Sequence, residues 1–164
     1  MPEAGHVVTV SRRIEAPAER IFAVVADPSR HVDIDGSDMV RGAISHARIA
    51  AVGDRFEMAM FSNFLGGDYV MDNHVVEFEP GRRLAWAPAP GDERSARGRF
   101  TIGVPPGHRW IFELEPDGPD TTVVTHSYDC SRAPEDLQHN VQQGEMWRGA
   151  MTGTLERLEK VCAA

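Results

Sequence analysis

No stretch of this chain approaches the roughly 20 consecutive apolar residues that a bilayer-crossing helix needs. Its first residues, Met1 to Val10, lack the charged start and apolar centre of a secretory signal. These absences set the expectation of a cytoplasmic protein without membrane insertion. Cysteine is scarce: only Cys130 and Cys162 are present, in different predicted elements. Their spacing does not specify a disulfide; two reduced thiols are expected, and the crosslink stays open. Basic residues are outnumbered, 17 against 25 acidic, for a net charge of −8. That balance argues against a nucleic-acid backbone as partner and against an anionic membrane surface. Arg12-Arg13 and Arg82-Arg83 are isolated pairs and read as solvated strand ends.

Motifs of several chemistries are also missing. None of the seven histidines pair at i, i+4, and there is no Cys-x-x-Cys, so no metal is expected. Asp33-x-Asp35-Gly36-Ser37-Asp38 resembles a calcium loop, but the glycine is misplaced and Ile44 stands where a bidentate Glu is required. It reads as a turn. No Gly-x-Ser-x-Gly elbow appears, and neither cysteine has an activating context. No phosphate-binding glycine fingerprint joins a strand to a helix. No cofactor is expected.

What is present is a regular order of elements. The 164 residues, 41% hydrophobic and 26% charged, fit one globular domain over residues 1–164. His6 to Ile14 alternates as a strand. Ala18 to Ala26 carries the stripe Ile21, Phe22, Val24 and Val25 of a short helix, opened by Pro17 and stopped at Asp27-Pro28. A second short helix is predicted from Ser29 to about Ile34, followed by the Asp35–Asp38 turn. Strands are predicted at Val40 to Ala47, Arg55 to Ser62, Tyr69 to Glu79, Arg83 to Ala87, Arg109 to Glu115 and Thr121 to Cys130. Short turns such as Pro80-Gly81 separate most of them, so neighbours should pair as antiparallel hairpins. Pro88 to Val104 reads either as a loop or as hiding a strand around Arg97 to Ile102. Pro134 to Val161 has one long helical pattern, its stripe running through Trp147, Met151, Leu155 and Leu158. Gly144, Gly149 and Gly153 interrupt it; they permit bending or close approach, or leave space beneath the helix.

Alternation sorts residues by face. Phe56, Met58 and Met60 share a side, as do Leu84 and Trp86, and Trp110, Phe112 and Leu114. His126, Tyr128 and Cys130 share another. Val76 and Phe78 oppose Glu77 and Glu79 and are predicted inward. The same parity carries Val70, Asp72 and His74 inward. A bulge between His74 and Val76 would reverse this.

The pieces Val8-Thr9-Val10-Ser11, Ile14-Glu15-Ala16-Pro17, Glu19-Arg20-Ile21-Phe22 and Ala26-Asp27-Pro28 resemble a known superfamily. Val75-Val76-Glu77-Phe78, Gly81-Arg82-Arg83-Leu84-Ala85-Trp86 and Thr122-Val123-Val124-Thr125 extend the likeness, and Leu155-Glu156-Arg157-Leu158-Glu159 completes it. Together they resemble the START-like, or SRPBCC, superfamily (Bet v 1-like), near its polyketide cyclase/dehydrase group. The resemblance covers nearly the whole chain. It implies an α+β helix-grip fold: a curved antiparallel sheet of about six or seven strands around a long C-terminal helix, with two short helices after the first strand. It also implies a deep apolar cavity between sheet and helix, and no shared catalytic motif.

The expected activity is binding of a small hydrophobic molecule (a lipid, polyketide or aromatic). The expected lining is Phe56, Met58, Met60, Val70, Trp86 and Trp110, with Phe112, His126, Tyr128, Trp147 and Met151. Asp72 and His74 on an inner face would suit acid–base chemistry, making a polyketide cyclase or dehydratase the alternative. The bland reading of that pair is a buried polar network that satisfies itself. A third alternative is an interaction or stress-response protein with a vestigial hollow. Ligand identity and oligomeric state are not readable from the sequence.

Overall fold

A computed structural model describes residues 5–163. Strand β1 (Val7–Ile14) is followed by helix α1 (Ala18–Val25), a 3-10 turn (Pro28–Arg30) and helix α2 (His31–Ile34). Strands β2 (Val40–Ala43), β3 (Arg55–Ser62), β4 (Gly67–Glu79) and β5 (Arg83–Pro90) come next. Helix α3 (Glu93–Ala96), strands β6 (Arg109–Pro116) and β7 (Thr122–Asp129), helix α4 (Glu135–Asn140), a 3-10 segment (Gln142–Trp147) and helix α5 (Arg148–Cys162) complete the chain. The strands form one antiparallel sheet in the order β1-β7-β6-β5-β4-β3-β2. First and last strands pair along their whole length, from Val7 opposite Asp129 to Ile14 opposite Thr122. The sheet curves around α5, which lies against β1, α1 and α2.

The solid core sits at one end of this grip. Ile21 and Val25 of α1 meet Ile14, Leu84, Val124, Leu155 and Leu158, all essentially inaccessible. The α1 stripe is the one the sequence predicts, and Pro17 occupies its N-cap. Cys130 and Cys162 are both buried and free. The paired arginines are ion-paired: Arg12 with Glu159 at 2.9 Å, Arg13 with Asp117, and Arg83 with Glu77 and Glu113.

Four expectations need correction. The strand predicted at Val40 to Ala47 ends at Ala43, because Ile44 and Ser45 both turn their N–H groups onto the single carbonyl of Glu57. The strand predicted to stop at Ala87 runs on to Pro90. Its pairing with β6 ends at Trp86, so Pro88 and Pro90 stand where an edge needs no donor. No strand forms at Arg97 to Ile102; instead Asp92 and Ser95 build a capping box for α3.

The single helix predicted from Pro134 to Val161 is broken. Gln142, Gln143 and Gly144 all have positive φ, and α5 restarts at Arg148. Gly144 has φ +93°, and a Cβ there would lie 2.9 Å from the Tyr128 ring and 3.0 Å from Val8. The chain therefore bends inward at the one residue small enough to touch β7.

Candidate functional site

Beyond the solid core, the concave face and α5 do not close. They enclose a cavity of about 490 Å³, within the range of small-molecule sites. The regular alternation of β3, β5, β6 and β7 aims its walls inward. Phe56, Met58 and Met60 come from β3, Trp86 from β5, Trp110 and Phe112 from β6, and His126 and Tyr128 from β7. Trp147 and Met151 close it from the helical side. All ten are residues that the sequence assigned to the lining.

The rings form a continuous rail. Centroid distances are 5.5 Å from Phe56 to Trp86, 5.9 Å from Trp86 to Phe112, and 4.0 Å from Phe112 to His126. Trp110 lies 5.6 Å from His126 and 5.8 Å from Trp147. Such offset and edge contacts stabilise each other beyond their burial alone. Six of the seven methionines, at positions 39, 58, 60, 71, 146 and 151, share the lining. Thioether side chains adapt to irregular apolar shapes. Phe64, 76% exposed, and Met146, 48% exposed, belong to the same wall. The cavity thus reaches the surface between the β3–β4 turn and the segment before α5.

Val70, Asp72 and His74 are not in the wall. A register shift between Val75 and Glu77 makes Val76 a bulge, so Val75 and Phe78 both point into the core. Parity reverses there, and Tyr69, Met71 and Asn73 take the inner positions. Asp72 lies on the outer face, where Arg55 donates two hydrogen bonds to it. His74 Nε2 is 3.6 Å from the same carboxylate. The backbone at Gly103 covers the pair. The three side chains tie β3 to β4 beneath the loop after α3.

The polar groups that do reach the cavity are imidazoles, one of them foreseen. His126 holds its Nδ1 3.0 Å from the Ile111 carbonyl, and His31 its Nε2 2.8 Å from the Val25 carbonyl. A carbonyl only accepts, so each of these nitrogens carries the proton. Burial holds His126 at about 4, and the charge of His31 acts in the same direction. Burial alone pushes His108 down to about 4. His31 is lowered too, again by burial first. The cavity therefore contains neutral imidazoles at neutral pH. His31 and His108 escaped the sequence reading because both sit in turn-like segments. For His108 a signal existed: it shares the parity of Trp110 and Phe112.

No three His, Cys, Asp or Glu side chains converge on a metal-sized site among the described residues. No helix among them is long and apolar enough to cross a membrane.

A curved antiparallel sheet gripping a C-terminal helix over an apolar cavity defines a helix-grip protein of the SRPBCC superfamily. The model of the family described as "Polyketide cyclase / dehydrase and lipid transport" matches residues 5–163, and the chain belongs to that family. An uncharacterized protein of Mycobacterium tuberculosis is 35% identical over 126 residues, covering 76% of this chain and 48% of the relative. The chain thus spans about half the length of the curated relatives it matches. Among solved structures, a Chromobacterium violaceum protein superposes with a TM-score of 0.67 at 17% identity over 96% of both chains. A polyketide-cyclase-like protein of Corynebacterium glutamicum does so with a TM-score of 0.58 at 20% identity, over 99% of this chain and 91% of that one. At such identities the likeness is one of fold.

Proposed function

We propose that the chain binds a small hydrophobic molecule, a lipid, polyketide or aromatic compound, in the cavity between sheet and α5. One observation carries this reading: a void of about 490 Å³ is walled by aromatic rings and six methionines where a globular core would be filled. A thermal-shift panel of lipids and flat aromatic polyketides tests it. A ligand present at a hundred times its dissociation constant should raise Tm by about 5–10 °C. Met60→Trp and Ala150→Leu, which fill the void, should each remove that shift. Asp72→Asn and His74→Ala should keep it, because both residues lie outside the wall. A panel without any stabilising ligand, or a shift indifferent to the filling variants, contradicts the proposal.

The acid–base alternative retains one supporting observation, the neutral imidazoles in the wall. A cyclase or dehydratase built on this cavity would draw its base from His126 or His108. Its turnover would survive His74→Ala.

A further inference from the structure

Two buried polar atoms at one end of the cavity, Nδ1 of His108 and Nε1 of Trp147, have no hydrogen-bond partner among the described residues. Leaving such an atom unpaired costs about 1–3 kcal/mol. Both belong to rings that flank Tyr128: His108 at 5.8 Å and Trp147 at 6.2 Å between centroids. Trp110 backs the same tyrosine at 4.6 Å. Three side chains with polar atoms thus surround one point of an otherwise apolar wall.

Their chemistry narrows what can meet them. The Trp147 indole donates only, and a neutral imidazole offers one donor and one acceptor. Burial keeps His108 uncharged and raises Tyr128, so that neither ionises at neutral pH. The arginines of the lining, Arg97 and Arg99, are exposed and engaged elsewhere. Arg97 lies 5.1 Å over the Phe64 ring and Arg99 pairs with Asp136. A carboxylate at the Tyr128 end would be desolvated without a counter-charge.

Resting on the cavity reading above, we propose that the Tyr128 end recognises the oxygen of an uncharged hydroxyl or ketone on an otherwise aromatic ligand. Trp147 donates to that oxygen, and His108 completes the contact. The ligand class is a hydroxylated or keto-substituted fused-ring molecule rather than a fatty acid.

Calorimetric titration of the full 164-residue chain with naphthalene, 2-naphthol and 2-naphthoate tests this. We expect 2-naphthol to bind about fivefold tighter than naphthalene, and 2-naphthoate to bind more weakly than 2-naphthol. Trp147→Phe and His108→Phe should each remove most of the hydroxyl's advantage. Naphthalene affinity should stay within about twofold in both variants, which reports that the cavity is intact. Equal affinities for naphthalene and 2-naphthol, an advantage that survives both variants, or a preference for 2-naphthoate would each overturn the proposal. If none of the three binds the unmodified chain, the cavity reading falls together with it.

Discussion

Lowering the pH from 7 to 4.5 is expected to remove a large part of the folding stability. His108 and His126 titrate near 4 in the folded chain, against about 6.5 for an exposed imidazole. Between those values the unfolded chain binds protons that the folded chain does not. Stability therefore falls as pH drops through that window and is fully present above it. Each imidazole contributes on the order of 3 kcal/mol, a large fraction of the 5–15 kcal/mol typical of a domain. His31, also lowered by burial, acts in the same direction. Carboxylates held down by arginines, Asp136 beside Arg99 and Glu145 beside Arg148, lose their contribution only at still lower pH. Urea midpoints measured from pH 7.5 to 4.5 should fall steadily below about 6.5, and His108→Phe should flatten the slope. A midpoint constant over this range would show that these imidazoles are not held neutral.

Gly36→Ala is expected to destabilise the chain by about 3 kcal/mol or more. Gly36 follows α2 and lies directly on α5. A Cβ there would sit 2.2 Å from the Ala150 carbonyl oxygen, 2.7 Å from Thr154 N and 3.0 Å from Gly153 C. These are backbone atoms, so no side chain can swing aside. The contact is also bonded: Gly36 donates to Thr154 Oγ1 at 3.0 Å, and that hydroxyl donates to Ala150 O at 3.0 Å. Displacing α2 from α5 opens one side of the cavity, because Asp35, Ala150 and Thr154 line it. Gly149→Ala is the matched control. Nothing lies within 4 Å of its Cβ, and removing a helical glycine should add about 0.5–1 kcal/mol. Urea denaturation of both variants decides the matter. Equal stabilities would mean that α2 and α5 are not pressed together.

The parts of this fold legible in the sequence are those where one rule holds along a whole element. In β3, β6 and β7 unbroken alternation named eight of the inner residues, from Phe56 to Tyr128. In β4 the rule changes halfway. Reading parity back from Phe78 crosses the bulge at Val76 and puts Asp72 and His74 on the wrong face. The first half of the strand taken alone pointed correctly, since Tyr69 and Met71 are its large apolar residues and now line the cavity. A bulge leaves no composition of its own. The break before α5 was hidden in the opposite way. Leu137 and Val141 continue the apolar spacing of Trp147 and Met151, so the stripe looks uninterrupted. What interrupts it is backbone conformation at Gln142–Gly144, dictated by contact with Tyr128 and Val8. The orphaned atoms of His108 and Trp147 are likewise consequences of three-dimensional neighbours.

The most direct measurement is the methyl spectrum of the protein carrying methyl-¹³C methionine, titrated with naphthalene. Met39, Met58, Met60, Met71, Met146 and Met151 all line the cavity, on four different segments of the chain. A ring bound there should shift their methyl signals together, with one saturation curve. Saturable binding that leaves these six signals in place would put the ligand elsewhere. No saturable binding at all would mean that the space between sheet and helix is not a binding site.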